Sequence, residues 1–405
     1  MEEMQMPPLQ SLKKIKNIQM QYYSEAHNAP NNGKPVAYLN VFTPVELLYA
    51  LDIFPIYPEN HAAIVGVRKM TTDVAPAAEN LGYSMDLCSY PRCDMGSITA
   101  KLSPTWGLPK PDILVTSNAQ CGTIPKWFEV LSRLYDVPMV LIDVPHSSNG
   151  EPDPAAEHYV RAQLEDLVKT LENLTGRSLD QDRLKEVIHL SDEATKLWMR
   201  ILESATRSPA PITVFDQFIS MAPIVSQRGT LAALEFYREM VEELEERTKT
   251  GVGAIDGERY RLYWDNLPIW PELRRFSTYL NDKGIGLVTS IYTWAWTQLS
   301  VSAADPIGDW TQQYLYDFNF HFDKRVDQYV HLAELYDLDG FVYHSNRSCK
   351  WLSQDIPEVR RAVTEKTGKP GVIIEGDQCD PRLYSIERIE GQIDNFLDLL
   401  RARKG

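Results

Sequence analysis

Eight short apolar runs, bounded by Pro, Gly or Asp, fall along the chain in two groups of four. The first group is VAYLNVF (36–42), DIFPIY (52–57), DILVTSN (112–118) and PMVLIDV (138–144). The second is YRLYWD (260–265), IGLVTSIY (285–292), GFVYHS (340–345) and GVIIEG (371–376). Runs this short, rich in β-branched and aromatic residues, predict buried strands. VELLYAL and KWFEVLSRLY, between strands of the first group, carry helical spacing, and strand–helix alternation implies a parallel sheet with helices on its faces. The opening ~30 residues predict a helix that ends at the turn-rich APNNGKP.

A helical block separates the two groups. Val160, Leu164, Leu167, Val168, Leu171 and Leu174 share one helical face, and 180–205 and 228–249 are also amphipathic. The segment GVGAIDG at 251 then breaks the chain. It precedes a strand and lacks both G-x-G-x-x-G and the P-loop Lys-Ser/Thr, so it reads as a linker. The expected organisation is a helical N-terminal segment (1–34), a first α/β domain (35–155), a helical block (156–250) and a second α/β domain (251–405).

Composition narrows the function. A net charge of −15 over 405 residues argues against nucleic acid as a partner, while leaving room for a local basic cluster that binds a small anion. The absence of a run of ~20 apolar residues argues against a membrane span. The charged N-terminus has no secretory core, so a cytoplasmic protein is expected. Five cysteines, an odd number, do not suggest a disulfide framework.

Their positions are informative. Cys121 follows DILVTSN, Cys349 follows GFVYHS, and Cys379 follows GVIIEG. Ligands of open α/β sheets sit beyond the carboxyl ends of the strands. Cys88 and Cys93 share LCSYPRCDMG, and no C-x-x-C pair suggests a zinc ribbon or a thioredoxin motif. Widely spaced thiolates that converge between two lobes suit an iron–sulfur cluster. Inert buried thiols and a single catalytic cysteine are the competing readings.

These strand-end segments together resemble the 2-hydroxyacyl-CoA dehydratase / benzoyl-CoA reductase family. The resemblance rests on PVELLYALDIFPIYPEN (44–60), LCSYPRCDMG (87–96), the spacing from Cys121 to KWFE (126–129), LIDVP (141–145), HSNRSCK (344–350) and EGDQCDPR (375–382). It implies two Rossmann-like domains, a helical N-terminal segment, and a [4Fe–4S] cluster on Cys88, Cys121 and Cys349. It further implies an acyl-CoA substrate, a related second subunit in a heterodimer, and an ATP-hydrolysing iron–sulfur activator that delivers single electrons. YPEN and GDQxDPR resemble the substrate-binding type of subunit. Where the dehydratases carry a serine able to contact the substrate hydroxyl, this chain has Val41, which offers no hydrogen bond. That departure favours benzoyl-CoA reductase-type ring reduction. A 2-hydroxyacyl-CoA dehydratase subunit, or a non-catalytic electron-transfer subunit, is the alternative.

Individual residues add candidate roles, of which that of Glu59 is implied by the resemblance and the others are read from residue chemistry and position. Glu59 matches a family active-site glutamate, with a capping or salt-bridged carboxylate as the bland reading. His344 is a candidate proton relay, or a hydrogen-bonded structural histidine. Arg347 and Lys350 are candidates for CoA phosphate or for charge stabilisation beside the cluster. Cys93 reads as a buried thiol or a substitute for Cys88. Cys379 reads as a packed residue or a fourth ligand, and Arg382 as the closure of an ion-paired turn. YTWAWTQL (292–299) is a candidate aromatic wall.

Overall fold

The computed structural model describes residues 8–146, 153–318 and 321–404. Residues 1–7 of the predicted N-terminal helical segment lie outside these. Each group of four runs forms one parallel sheet. β1 (Val36–Leu39), β2 (Phe54–Ile56), β3 (Ile113–Ser117) and β4 (Met139–Ile142) are ordered β2-β1-β3-β4. β5 (Tyr260–Asp265), β6 (Ile285–Ser290), β7 (Gly340–Asn346) and β8 (Gly371–Gly376) repeat that order as β6-β5-β7-β8. Every residue of the inner strands β1, β3 and β5 is buried, which explains continuous apolar runs rather than alternation. The edge strand β6 is buried too, because the helix Val214–Ser220 packs beside it and the Gln217 side chain donates to the Val288 carbonyl.

The central block contains three long helices, Pro154–Thr175, Gln181–Ser204 and Leu231–Thr250, with the short helices Val214–Ser220 and Ala222–Ser226 between the last two. Their starts obey capping chemistry, since Asp153, Asp180 and Thr230 each accept a main-chain N–H of the first turn. The last helix stops at Gly251 with φ of 69°, the left-handed geometry that glycine adopts without strain. A buried polar bridge ties this block to the loop and helix that follow β1. Arg228 donates to Glu46 at 3.2 Å and to the Thr43 carbonyl at 3.1 Å, and Ser191 donates to the same Glu46 oxygen at 2.5 Å. Pro-x-Glu (44–46) is thus partly an anchor between block and sheet.

A polar seam joins the two sheets' loops. Ser348, beyond β7, accepts the Ser89 main-chain N–H at 3.1 Å and hydrogen-bonds the Asp377 carboxylate. Asp377 in turn caps the main-chain N–H groups of Cys379 and Asp380. Arg92, fully buried, pairs with Asp380 at 2.7 Å and with Glu79 at 2.9 Å. Arg382 adds ion pairs to the same two acids, the closed turn expected for it. Gly66 lets the helix Pro58–Val67 approach closely, because a Cβ there would stand 2.8 Å from Cys379 Sγ.

Arg228→Ala leaves Glu46 buried without its cation, a loss expected to cost about 3–5 kcal/mol. Lys185→Ala removes only the exposed pair with Asp182 and is expected to cost about 0–1 kcal/mol. Urea unfolding of both variants checks this, and equal losses contradict the assignment.

Candidate active site

The strand ends prepare the site through main-chain donors. Cys88 stands immediately before the helix Ser89–Ala100, Cys121 lies two residues before Thr123–Tyr135, and Cys349 stands immediately before the helical turn Lys350–Ser353. Each sulfur therefore meets amide N–H groups of a starting turn: Tyr90 for Cys88, Ile124 and Thr123 for Cys121, Leu352 for Cys349. Such donors favour a thiolate over a thiol. The two sheets use equivalent places. Cys121 follows β3 and Cys349 follows β7, next to the inner strands β1 and β5 where the order reverses, as ligand sites of open sheets do. Each of those two strands is followed by an asparagine that reaches the cysteine loop: Asn40 to Gln120 at 3.4 Å, Asn266 to Ser353 at 3.0 Å.

Cys88, Cys121 and Cys349, each half-buried, line one cavity of about 440 Å³, together with Glu59, Val41, Gln120, Tyr90 and Tyr292. Its walls are largely aromatic and aliphatic, among them Phe42, Phe218, Trp270 and Trp296. Tyr292 and Trp296 come from the predicted aromatic stretch. Desolvation by the surrounding protein pushes the Cys88 thiol well above its ordinary range, and Cys349 and Cys121 push it further. Cys349 is pushed up to about 12, by desolvation first and by Cys121 among its neighbours. Desolvation also raises Cys121, with Glu59 adding to the effect. Three such thiols stay protonated at neutral pH unless a cationic centre compensates their charge. Among the described residues, no group of three or more His, Cys, Asp or Glu side chains is arranged to hold a metal ion. A lone ion needs all its donors within one bond length, whereas an iron–sulfur cluster takes thiolates at separate irons. The thiol set, spread around a cavity and supplied with main-chain donors, fits the second kind of group. Gln378 adds a side-chain donor 3.1 Å from Cys88 Sγ.

Glu59 enters the cavity from the first turn of the helix Pro58–Val67 and is 6% exposed. Its Oε2 accepts the Val41 main-chain N–H and its Oε1 accepts the Gln120 amide, both at 2.9 Å. Burial pushes its carboxyl up to about 7, and those two hydrogen bonds resist the rise. A group poised there can give and take a proton at neutral pH. Gln120 and Trp270 stood out in no motif of the sequence. The signal for Gln120 was its place beside Cys121 in a strand-end loop.

The other candidates lie elsewhere. His344 is buried within β7, donates Nδ1–H to the Leu267 carbonyl at 2.7 Å, and is pushed down to about 4 by burial. It does not line the cavity. Arg347 and Lys350 are exposed and also off the lining, and Lys350 donates to the Arg347 carbonyl. Cys93 and Cys379 are fully buried outside the cavity. The Cys93 thiol meets Thr71 Oγ1 at 3.5 Å, and that of Cys379 meets the Ala62 carbonyl at 3.4 Å.

The Glu59 shift has a signed consequence. Between about 4.5, its ordinary value, and about 7, the folded chain holds a proton that the unfolded chain has lost, so wild-type stability falls as pH rises through that window. Relative to Glu59→Gln, the fall should total about 3 kcal/mol. Urea unfolding of both proteins from pH 4.5 to 8 checks it, and a pH-independent difference contradicts the raised carboxyl.

Residues 40–400 match the 2-hydroxyglutaryl-CoA dehydratase D-component family. The chain is 33% identical to the (R)-2-hydroxyisocaproyl-CoA dehydratase alpha subunit of Clostridioides difficile, covering 96% of each chain. It is 30% identical to the (R)-phenyllactyl-CoA dehydratase alpha subunit of Clostridium sporogenes, over 94% of this chain and 93% of that one. A benzoyl-CoA reductase subunit of Thauera aromatica is 29% identical, over 97% of this chain and 95% of that one. With its strand-end cysteines, its cavity glutamate and this match along almost its whole length, the chain belongs to the family of 2-hydroxyacyl-CoA dehydratase and benzoyl-CoA reductase subunits.

Proposed function

We propose that this protein is the cluster-bearing, substrate-binding subunit of an enzyme that reduces an aromatic acyl-CoA by single-electron steps. It works with a related second subunit and an ATP-hydrolysing iron–sulfur activator. The observation that carries this reading is the meeting of three desolvated thiols from both sheets' loops with a near-neutral glutamate at one apolar cavity. Cys88, Cys121 and Cys349 would hold a [4Fe–4S] cluster, which when bound supplies single low-potential electrons.

The chain's own residues do the rest. Aromatic walls exclude water from the reacting groups. Glu59 holds a proton on a carboxyl that Val41 N–H and Gln120 fix in place, ready to protonate a reduced acyl group. Val41 presents only methyl groups where a 2-hydroxyl would need a partner. Among the described residues, the charged side chains that line the cavity are Lys16, Glu59 and Arg68, and both cations are exposed. None of these cations stands inside to pair with a second carboxylate, which argues for an apolar acyl group over a dicarboxylic one.

The dehydratase reading is favoured by a different observation, since four of the five matching relatives are dehydratase alpha subunits. Anaerobically reconstituted enzyme with its partner, activator and ATP, given benzoyl-CoA and an aromatic 2-hydroxyacyl-CoA in parallel, separates the two. A dearomatised product supports the reductase, and enoyl-CoA formation overturns it in favour of dehydration. In either case Glu59→Gln should lower turnover by roughly 10²–10⁴-fold, the usual worth of a general acid.

A further inference from the structure

The cavity follows one helix from its buried start to its exposed end. On Pro58–Val67 and its cap, Glu59, Asn60, Ala63, Ile64, Val67 and Arg68 line the cavity. These positions (i, i+1, i+4, i+5, i+8, i+9) form a single helical face. Glu59 is buried at one end and Arg68 is exposed at the other. At 1.5 Å rise per residue, the two are separated by about 14 Å along the axis. The N-terminal helix Leu12–Asn28 contributes a second wall, with Ile15, Lys16, Ile18, Gln19, Tyr22 and Tyr23 on the lining. Lys16 is exposed there. Among the described residues, neither Lys16 nor Arg68 makes an ion pair, although the chain carries a net charge of −15. Two exposed cations without an ion pair, both on the lining of one largely apolar cavity, offer positive charge to an anionic group of a ligand that enters it.

Resting on the acyl-CoA reading above, we propose that Lys16 and Arg68 clasp the phosphate groups of coenzyme A at the mouth of this cavity. The pantetheine arm then lies along the Pro58–Val67 face. Gln19 and Asn60, uncharged polar residues on the two walls, face the arm's amide groups. The helix acts as a spacer that sets the thioester beside Glu59 when the phosphates are held at Arg68. Arg347 and Lys350, which lie off the cavity, do not take this role.

The test is calorimetric binding to the full-length chain, with acetyl-CoA and S-acetylpantetheine as probes, so that turnover plays no part. The double variant Lys16→Gln/Arg68→Gln should weaken acetyl-CoA by roughly tenfold or more, while S-acetylpantetheine, which has no phosphate, binds it as it binds wild type. Arg347→Gln/Lys350→Gln should bind both probes like wild type. Unchanged acetyl-CoA binding in the Lys16/Arg68 variant overturns the proposal, as does equal weakening of both probes. A loss confined to the Arg347/Lys350 variant also overturns it. If wild type binds neither probe, the acyl-CoA reading itself fails, and the anchor with it.

Discussion

Three thiols that desolvation keeps protonated share one apolar cavity, and the rest of the structure answers to that arrangement. Each is raised by its own surroundings, and Cys88 and Cys349 are raised further by neighbouring thiols. The fold offsets this with amide N–H groups at three helix starts and with the Gln378 side chain at Cys88. A cationic centre that takes up such thiols as thiolates adds its binding free energy to folding and releases their protons. Cys88 belongs to a helix start of the first half and Cys349 to a loop of the second, so their spacing depends on the seam. The Ser89–Ser348–Asp377 contacts and the buried Arg92–Asp380 pair hold the two loops in register.

The two sheets share one topology, and that explains why the site sits where it does. Both have the order edge, inner, inner, edge, with the second inner strand delivering a cysteine and the first leading into an asparagine. Asn266 takes a left-handed conformation, with φ of 73°, to make its contacts, and Asn40 bonds Thr43 as well as Gln120. The halves diverge where chemistry differs. After β2 the chain supplies Glu59, and after β6 it supplies Tyr292, so one cavity receives a proton-bearing carboxyl from one half and an aromatic phenol from the other.

All eight runs became strands, legible because strands buried in parallel sheets leave continuous apolar runs, although the edge strands β4 and β8 are buried only in part. The cysteine loops were legible for a related reason, since open sheets place ligands at strand ends. Side-chain direction was not. His344 lies inside β7, and hydrogen bonding to Leu267 turns its ring to the interior rather than to the cavity. Cys379 stands only three residues past β8 yet packs under Gly66, because Asp377 draws its main chain into a tight turn. Arg347 and Lys350 looked like the local positive field, but the turn that brings Cys349 to the cavity leaves both exposed and off its lining. The cations that do line the cavity are Lys16, on the N-terminal helix, and Arg68, at the end of the Glu59 helix, and neither falls within a motif singled out in the sequence.

The central claim is that the cavity thiols hold one cluster, and metal analysis of anaerobically purified protein tests it most directly. About four irons and matching sulfide per chain, the content of one [4Fe–4S] cluster, are predicted. Cys349→Ala should lose them and Cys93→Ala should keep them. A colourless, iron-free wild type, or iron lost with Cys93 and retained without Cys349, would contradict the account.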